Sequence, residues 1–304
     1  MRRRRIHTSF VRFPLGMMLA FVVFSARAQT AGQRFTTIDV RGAIETEGYD
    51  INTHGVIVGY VCKIDFCANG AVPKAWVLTN GTFKFLKPPG AIASLAFGIN
   101  DKNQVVGAFA DAGGIIHGFM LSAAHYHTID PPGSSFTYVQ DINNAGMMVG
   151  TYVASDGRFH GFTHSGSTYT TFDAPGSQFT EFTGVNKAGV KVGFFDDLRG
   201  VQHGFSLNGK AFKSIDVPSS DLTAAQRIND TRVIVGLFGT NGFSPPYQGW
   251  RRSGRTYTTI NFPGAADTRC RGVNNAGVIV GSYSDGTGSR IHGMKVTPLL
   301  LHGD

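Results

Sequence analysis

Residues 136–173 read F-T-Y-V-Q-D-I-N-N-A-G-M-M-V-G-T-Y-V-A-S-D-G-R-F-H-G-F-T-H-S-G-S-T-Y-T-T-F-D, and most of the remaining chain is a variation on them. The landmarks are Thr137, Ile142-Asn143, Val149-Gly150, His160-Gly161-Phe162 and the closing Asp173. Asn143 has counterparts at Asn52, Asn100, Asn186, Asn229 and Asn274, each preceded by Ile or Val. Seven residues after each Asn comes the Gly of a Val-Gly pair: Gly59, Gly107, Gly150, Gly193, Gly236 and Gly281. Six residues before it stands Thr46, Ser94, Thr137, Thr180, Thr223 or Thr268, and thirteen before it Asp39, Lys87, Asp130, Asp173, Asp216 or Asn261. Six copies with one inner spacing form a repeat array, and that period outranks any local propensity in setting the fold.

Each copy reads as four short strands. The first precedes the Asn, as in Phe182-Thr183-Gly184-Val185, and an Asn/Gly turn such as Asn143-Asn144-Ala145-Gly146 follows it. The second is β-branched (Val278-Ile279-Val280), the third carries a His-Gly-Phe triplet, and the fourth is Tyr169-Thr170-Thr171-Phe172 and its relatives. Four strands in about 40–50 residues match a propeller blade. The chain supplies its own closure. Phe35-Thr36-Thr37-Ile38-Asp39 is a fourth-strand sequence with no partner strands before it, and Ile291–Val296 is a third strand with no clear fourth after it. The expected fold is therefore all-β: a six-bladed β-propeller closed by the N-terminal strand completing the last blade, which covers an edge that would otherwise expose unpaired backbone.

The triplet occurs as His117-Gly118-Phe119, His160-Gly161-Phe162, His203-Gly204-Phe205 and His292-Gly293-Met294, with Lys74-Ala75-Trp76 and Gln248-Gly249-Trp250 in the other two copies. Together with the Ile-Asn and Val-Gly signals this pattern resembles the HAF-repeat family of exported bacterial proteins, with Gly at the triplet's middle position where that family has Ala. The resemblance covers nearly all of the chain after its N-terminal segment. It implies export and a repeated β architecture, and it carries no activity.

Residues 1–28 read as a signal peptide and 29–304 as a single propeller domain. Arg2 to Arg5 form a basic start, Phe13 to Ser25 is mostly apolar, and Ala26-Arg27-Ala28 fits a cleavage site. This segment holds six of the 28 basic residues and none of the 20 acidic ones, so the remainder carries 22 against 20. The high overall charge thus belongs mostly to the leader, which removes the electrostatic support for nucleic-acid binding. No later stretch is apolar enough to span a bilayer as a helix. The expectation is an exported monomer, periplasmic or extracellular, without cofactor or membrane span after cleavage.

The interval between the Val-Gly pair and the triplet is where repeat length varies, so the second-to-third loops are expected to present a binding surface on one face. One long loop carries Cys62 and Cys67, which an oxidising compartment would join as a local disulfide stabilising by about 2 kcal/mol. Cys270 is expected to be a buried apolar residue. The other long loop carries Phe243 and Tyr247. These two, with Trp250, Tyr138 and Arg269, are the expected ligand-binding residues, the ligand being a carbohydrate or a protein of the cell envelope. No catalytic residue is expected on this reading. The alternative is a carbohydrate-active enzyme using Glu47 and Glu181, because glycoside hydrolysis needs paired carboxylates and both fall five residues before their Asn. No metal site is expected. The repeated His residues lie on separate third strands and cannot converge on one ion; a bond to backbone or to a repeated polar partner is expected instead. The loop acids Asp111, Asp156, Asp196, Asp197 and Asp285 read as turn formers, since calcium would need several oxygens in one loop.

Overall fold

The computed structural model describes residues 27–30, 32–63 and 72–299. The chain is all-β, with its strands grouped in four sheets. Each sequence repeat folds as an antiparallel meander. In the third it comprises Phe136–Ile142, Met148–Val153, Phe159–Ser165 and Thr168–Phe172, paired in that order. The last repeat has Asp267–Val273, Ile279–Ser284 and Ile291–Pro298. Its fourth position is taken by Gln33–Ile38, which pairs antiparallel with Ile291–Pro298 from Gln33↔Pro298 to Ile38↔Gly293. Arg27–Thr30 adds one more antiparallel strand outside Gln33–Ile38, and the expected cleavage point after Ala28 falls within it. The rest of the expected signal peptide, residues 1–26, lies outside the described residues.

The meanders pack face to face through side chains, with an apolar cluster at each junction. Val106 and Ile129 of the second repeat meet Val139 and Phe162 of the third. Ile38 and Val280 of the last repeat meet Ile51, Ile57 and Trp76 of the first. The triplet's third residue anchors each cluster: Trp76, Phe119, Phe162, Phe205, Trp250 and Met294 are all buried. Truncating one of the phenylalanines to Ala would cost about 3–5 kcal/mol. The Val-Gly signal has a packing cause. A Cβ on Gly150 would sit 1.9 Å from the Tyr138 carbonyl oxygen and 3.0 Å from the Phe162 ring, so only glycine lets the second strand lie against the first with the triplet ring on top.

The repeated Asn closes a circuit. The Asn143 Oδ1 accepts the backbone N–H groups of Ala145 and Met147 in its own turn, while its Nδ2 donates to the Asn186 carbonyl of the next repeat. Asn52 donates in the same way to Asn100, Asn100 to Asn143, Asn186 to Asn229 and Asn229 to Asn274. Asn274 donates back to the carbonyl of Asn52. Asn alone has both an acceptor for its own turn and a donor of the right reach for the neighbour; Asp would lack the donor.

The third-strand His residues are pinned rather than free. His117, His160, His203 and His292 each place Nδ1 2.6–3.0 Å from the acid closing the fourth strand, Asp130, Asp173, Asp216 and Asp39 respectively. On the other ring edge, Asp111, Asp156 and Asp197 lie 3.2–3.7 Å from Nε2 of His117, His160 and His203. These loop acids also accept backbone N–H groups of their own turns, as Asp111 does from Gly113 and Ile115. The flanking carboxylates raise the His117 and His292 pKa values above the usual imidazole range against the opposing effect of burial. Cys62 is disulfide-bonded, and its expected partner Cys67 lies outside the described residues. Cys270 is free and buried.

Candidate functional site

The first strands of the repeats surround the middle of the Asn circuit, and their side chains differ at its two ends. At the Asn end, the residues two before each Asn run Asp50, Gly98, Asp141, Gly184, Arg227 and Gly272, so charged residues and glycines alternate around the ring. The three charged side chains meet at the centre. Arg227 Nε lies 3.3 Å from Asp50 Oδ1 and its Nη1 3.2 Å from Asp141 Oδ2. Its guanidinium also donates to the carbonyls of Phe97, Gln140 and Thr183, so this one side chain touches each of the first four repeats. The glycines between make room: a Cβ on Gly98 would be 2.8 Å from the Asp141 Cα, and one on Gly272 2.7 Å from that of Asp50. Burial pushes the Asp50 carboxyl up to about 7, with Arg227 opposing and Asp141 adding to the rise; Asp141 is likewise raised by burial. A shallow opening of about 80 Å³, lined by the Asn turns, lies over this plug. The arrangement is a bolt through the axis rather than a reactive centre.

The opposite end, facing the second-to-third loops, is lopsided. An arc of rings crosses the first four repeats: Tyr49 to Phe97 at 5.0 Å, Phe97 to Tyr138 at 5.2 Å, Tyr138 to Phe136 at 4.4 Å, then Phe159, Phe179 and Phe194 at 5.2–5.7 Å steps. The remaining sector is charged. Glu47, 2% exposed, has Arg269 Nη1 at 3.7 Å and Arg271 Nη2 at 3.6 Å. Arg269 also pairs with Asp267 at 2.9 Å and lies over the Tyr247 ring at 5.2 Å, while Arg271 donates to Gln226 Oε1 and lies over Tyr49 at 4.9 Å. Glu181 keeps some solvent contact, accepts a bond from Gln140 Nε2 at 2.6 Å, and is pushed up to about 7 chiefly by desolvation, with Arg271 pulling it down.

Where the arc meets the charged sector there is a cavity of about 180 Å³ lined by Phe194, Gln226, Phe243, Tyr247, Arg269 and Arg271, among others. Three of the expected ligand-binding residues, Phe243, Tyr247 and Arg269, are thus brought together. The Tyr247 hydroxyl donates to the Phe243 carbonyl, which ties the loop to itself. Tyr138 stands in the aromatic arc. Trp250 does not join them; this expectation is corrected. It is 1% exposed, packs with Val192 and Ile228 in the core, and donates its Nε1–H to the Leu237 carbonyl. Its place as the third residue of a triplet was the available signal. Arg271, Gln226 and Phe194 were not anticipated, nor was the Asp50–Arg227–Asp141 plug, whose signal is an alternation visible only across two repeats.

Among solved structures, the chain is similar to the β-propeller domain of the Trilobed protease from Pyrococcus furiosus, at 10% identity, covering 85% of this chain and all of that one, with a TM-score of 0.50. It is similar to TolB from Acinetobacter baumannii at 11% identity and a TM-score of 0.52, covering 79% of this chain and 65% of that chain. The fold is a β-propeller. A six-bladed fucose-recognising lectin of Aleuria aurantia aligns at 11% identity over 82% of this chain and 89% of that chain, with a TM-score of 0.47. Neither a protein-family model nor a curated protein matches the sequence.

Proposed function

We propose that the chain is a six-bladed propeller, closed through Gln33–Ile38, that is exported and binds a carbohydrate at the mouth facing its variable loops. The Asn circuit returning from Asn274 to Asn52 and the pairing of Thr37 with Met294 support six blades and closure. The leader-like residues 1–28 support export, and the repeat landmarks support membership of the HAF-repeat family. The observation that carries the ligand reading is the cavity of about 180 Å³, which sets Phe243 and Tyr247 beside Arg269, Arg271 and Gln226. Aromatic faces take the apolar side of a sugar ring, while guanidinium and amide groups bond its hydroxyls. Such sites are mostly apolar with a few placed polar groups, and this one is about the size of a single ring.

The enzyme alternative has weaker support. Glu47 is buried beneath Arg269 and Arg271, so it does not stand beside Glu181 as a second free carboxylate. A glycan array probed with residues 29–304 tests the reading. Binding that is lost in Tyr247→Ala and Arg269→Ala but retained in Glu181→Gln supports it. Glycan turnover abolished by Glu181→Gln would favour the enzyme, and a blank array would leave a protein ligand or a purely structural role.

A further inference from the structure

The His–Asp clasp that holds the third and fourth strands at the loop face is replaced in two repeats. His117, His160, His203 and His292 meet an acid, and in the fifth repeat Asn261 Nδ2 donates to Gln248 Oε1 at 3.2 Å. In the first repeat both positions are lysine. Leu86 donates to the Ala75 carbonyl, which places Lys74 opposite Lys87, and neither has an ion pair among the described residues. Like charges facing each other across two strands are destabilising, so this repeat keeps a local cost that four others avoid with a hydrogen-bonded His–Asp pair.

The same place holds a cavity of about 790 Å³ between the first and second repeats. Lys63, Lys74 and Lys87 stand around it, and no acid among the described residues lines it. Its walls include Val72, Phe85 and Ile92, at 43%, 39% and 54% exposure. These are three of the six large hydrophobics exposed among the described residues, gathered at one point. An apolar hollow of this volume is of ligand-binding size, and a rim carrying three lysines favours an anionic head group.

We propose that this hollow is a binding site for a single-chain anionic amphiphile, a free fatty-acid-like molecule whose carboxylate bridges Lys74 and Lys87 and whose tail lies over Val72, Phe85 and Ile92. A bridging carboxylate supplies the partner that the other repeats build in. The site is separate from the cavity at the axis and independent of what binds there.

Calorimetric titration with dodecanoate, against dodecyltrimethylammonium as a cationic control with the same tail, tests it. One dodecanoate per chain is expected, with the cation at least tenfold weaker. The double variant Lys74→His/Lys87→Asp restores the clasp of the other repeats; it is expected to fold and to weaken dodecanoate at least tenfold. Lys87→Gln serves if that double variant fails to fold, and Ile92→Ser should weaken dodecanoate while leaving glycan binding unchanged. Equal affinity for both amphiphiles, undiminished binding in the lysine variants, or flotation with anionic phospholipid vesicles without binding of monomeric dodecanoate would each overturn the proposal.

Discussion

The two ends of the axis are built from the same strands, and they divide the work. At the Asn end every repeat contributes the same side chain in the same bond, and the centre is filled by Arg227 between Asp50 and Asp141. At the loop end the equivalent strands carry Glu47, Tyr138, Glu181 and Arg269 in otherwise matching positions, and a cavity opens beside Tyr247. The shared Asn bond links each repeat to the next, whereas the proposed ligand needs a place where the repeats differ. Substitutions at the first end should therefore cost stability, and those at the second should cost binding.

The largest effect is expected from Arg227→Met, which leaves Asp50 and Asp141 buried without their cation. Removing one member of a buried ion pair costs about 3–5 kcal/mol, read as a fall in the urea midpoint. Asn143→Ala leaves two backbone N–H groups and the Asn186 carbonyl without their partner. A loss of about 1–3 kcal/mol is expected, and a similar loss at any of the six Asn positions would show that the circuit is shared evenly.

The pH profile separates two contributions of the same sign. Asp50 is raised to about 7 from its ordinary 3.8, so the fold favours its protonated form; that contribution is present below the unfolded value and is lost as pH rises to about 7. His117 and His292 are raised above 6.5, so their contribution is complete below 6.5 and is lost as pH rises through their folded values. Thermal stability should fall from about pH 4 upward, with Asp50→Asn flattening the lower part of the slope and His117→Gln/His292→Gln the upper part. A profile that rises across this range in the wild type would break the comparison. The smallest effect on stability belongs to the mouth: Tyr247→Ala should change it by no more than about 0.5 kcal/mol while abolishing the proposed glycan binding.

How much was legible follows from the length of each pattern. The Asn, the Val-Gly pair and the triplet recur in every copy, so their spacing disclosed strands, turns and period; the structure adds why each must be that residue. His117 and Asp130 keep a constant separation of 13 residues, and the Gln248–Asn261 pair keeps the same separation with neutral partners. A repeated polar partner for the His was therefore readable. Asp50, Gly98, Asp141, Gly184, Arg227 and Gly272 alternate over two repeats, so comparing copies one by one shows only disagreement. The burial of Glu47 was not legible, because Arg269 and Arg271 come from the last repeat and reach it only where that repeat meets the first. Trp250 shows the opposite error: an aromatic beside a variable loop was read as surface although its triplet position marks it as core.

All of this requires the ends of the chain to lie side by side. Thr36→Cys with Lys295→Cys places thiols at two paired, half-buried positions 259 residues apart in sequence. Treating the dilute monomer with a short bifunctional thiol reagent and mapping the peptides by mass spectrometry is the direct measurement. A single intramolecular bridge between residues 36 and 295, formed without loss of melting temperature, is the expected result. Two thiols that react separately, or bridges found only between molecules, would contradict a closed ring.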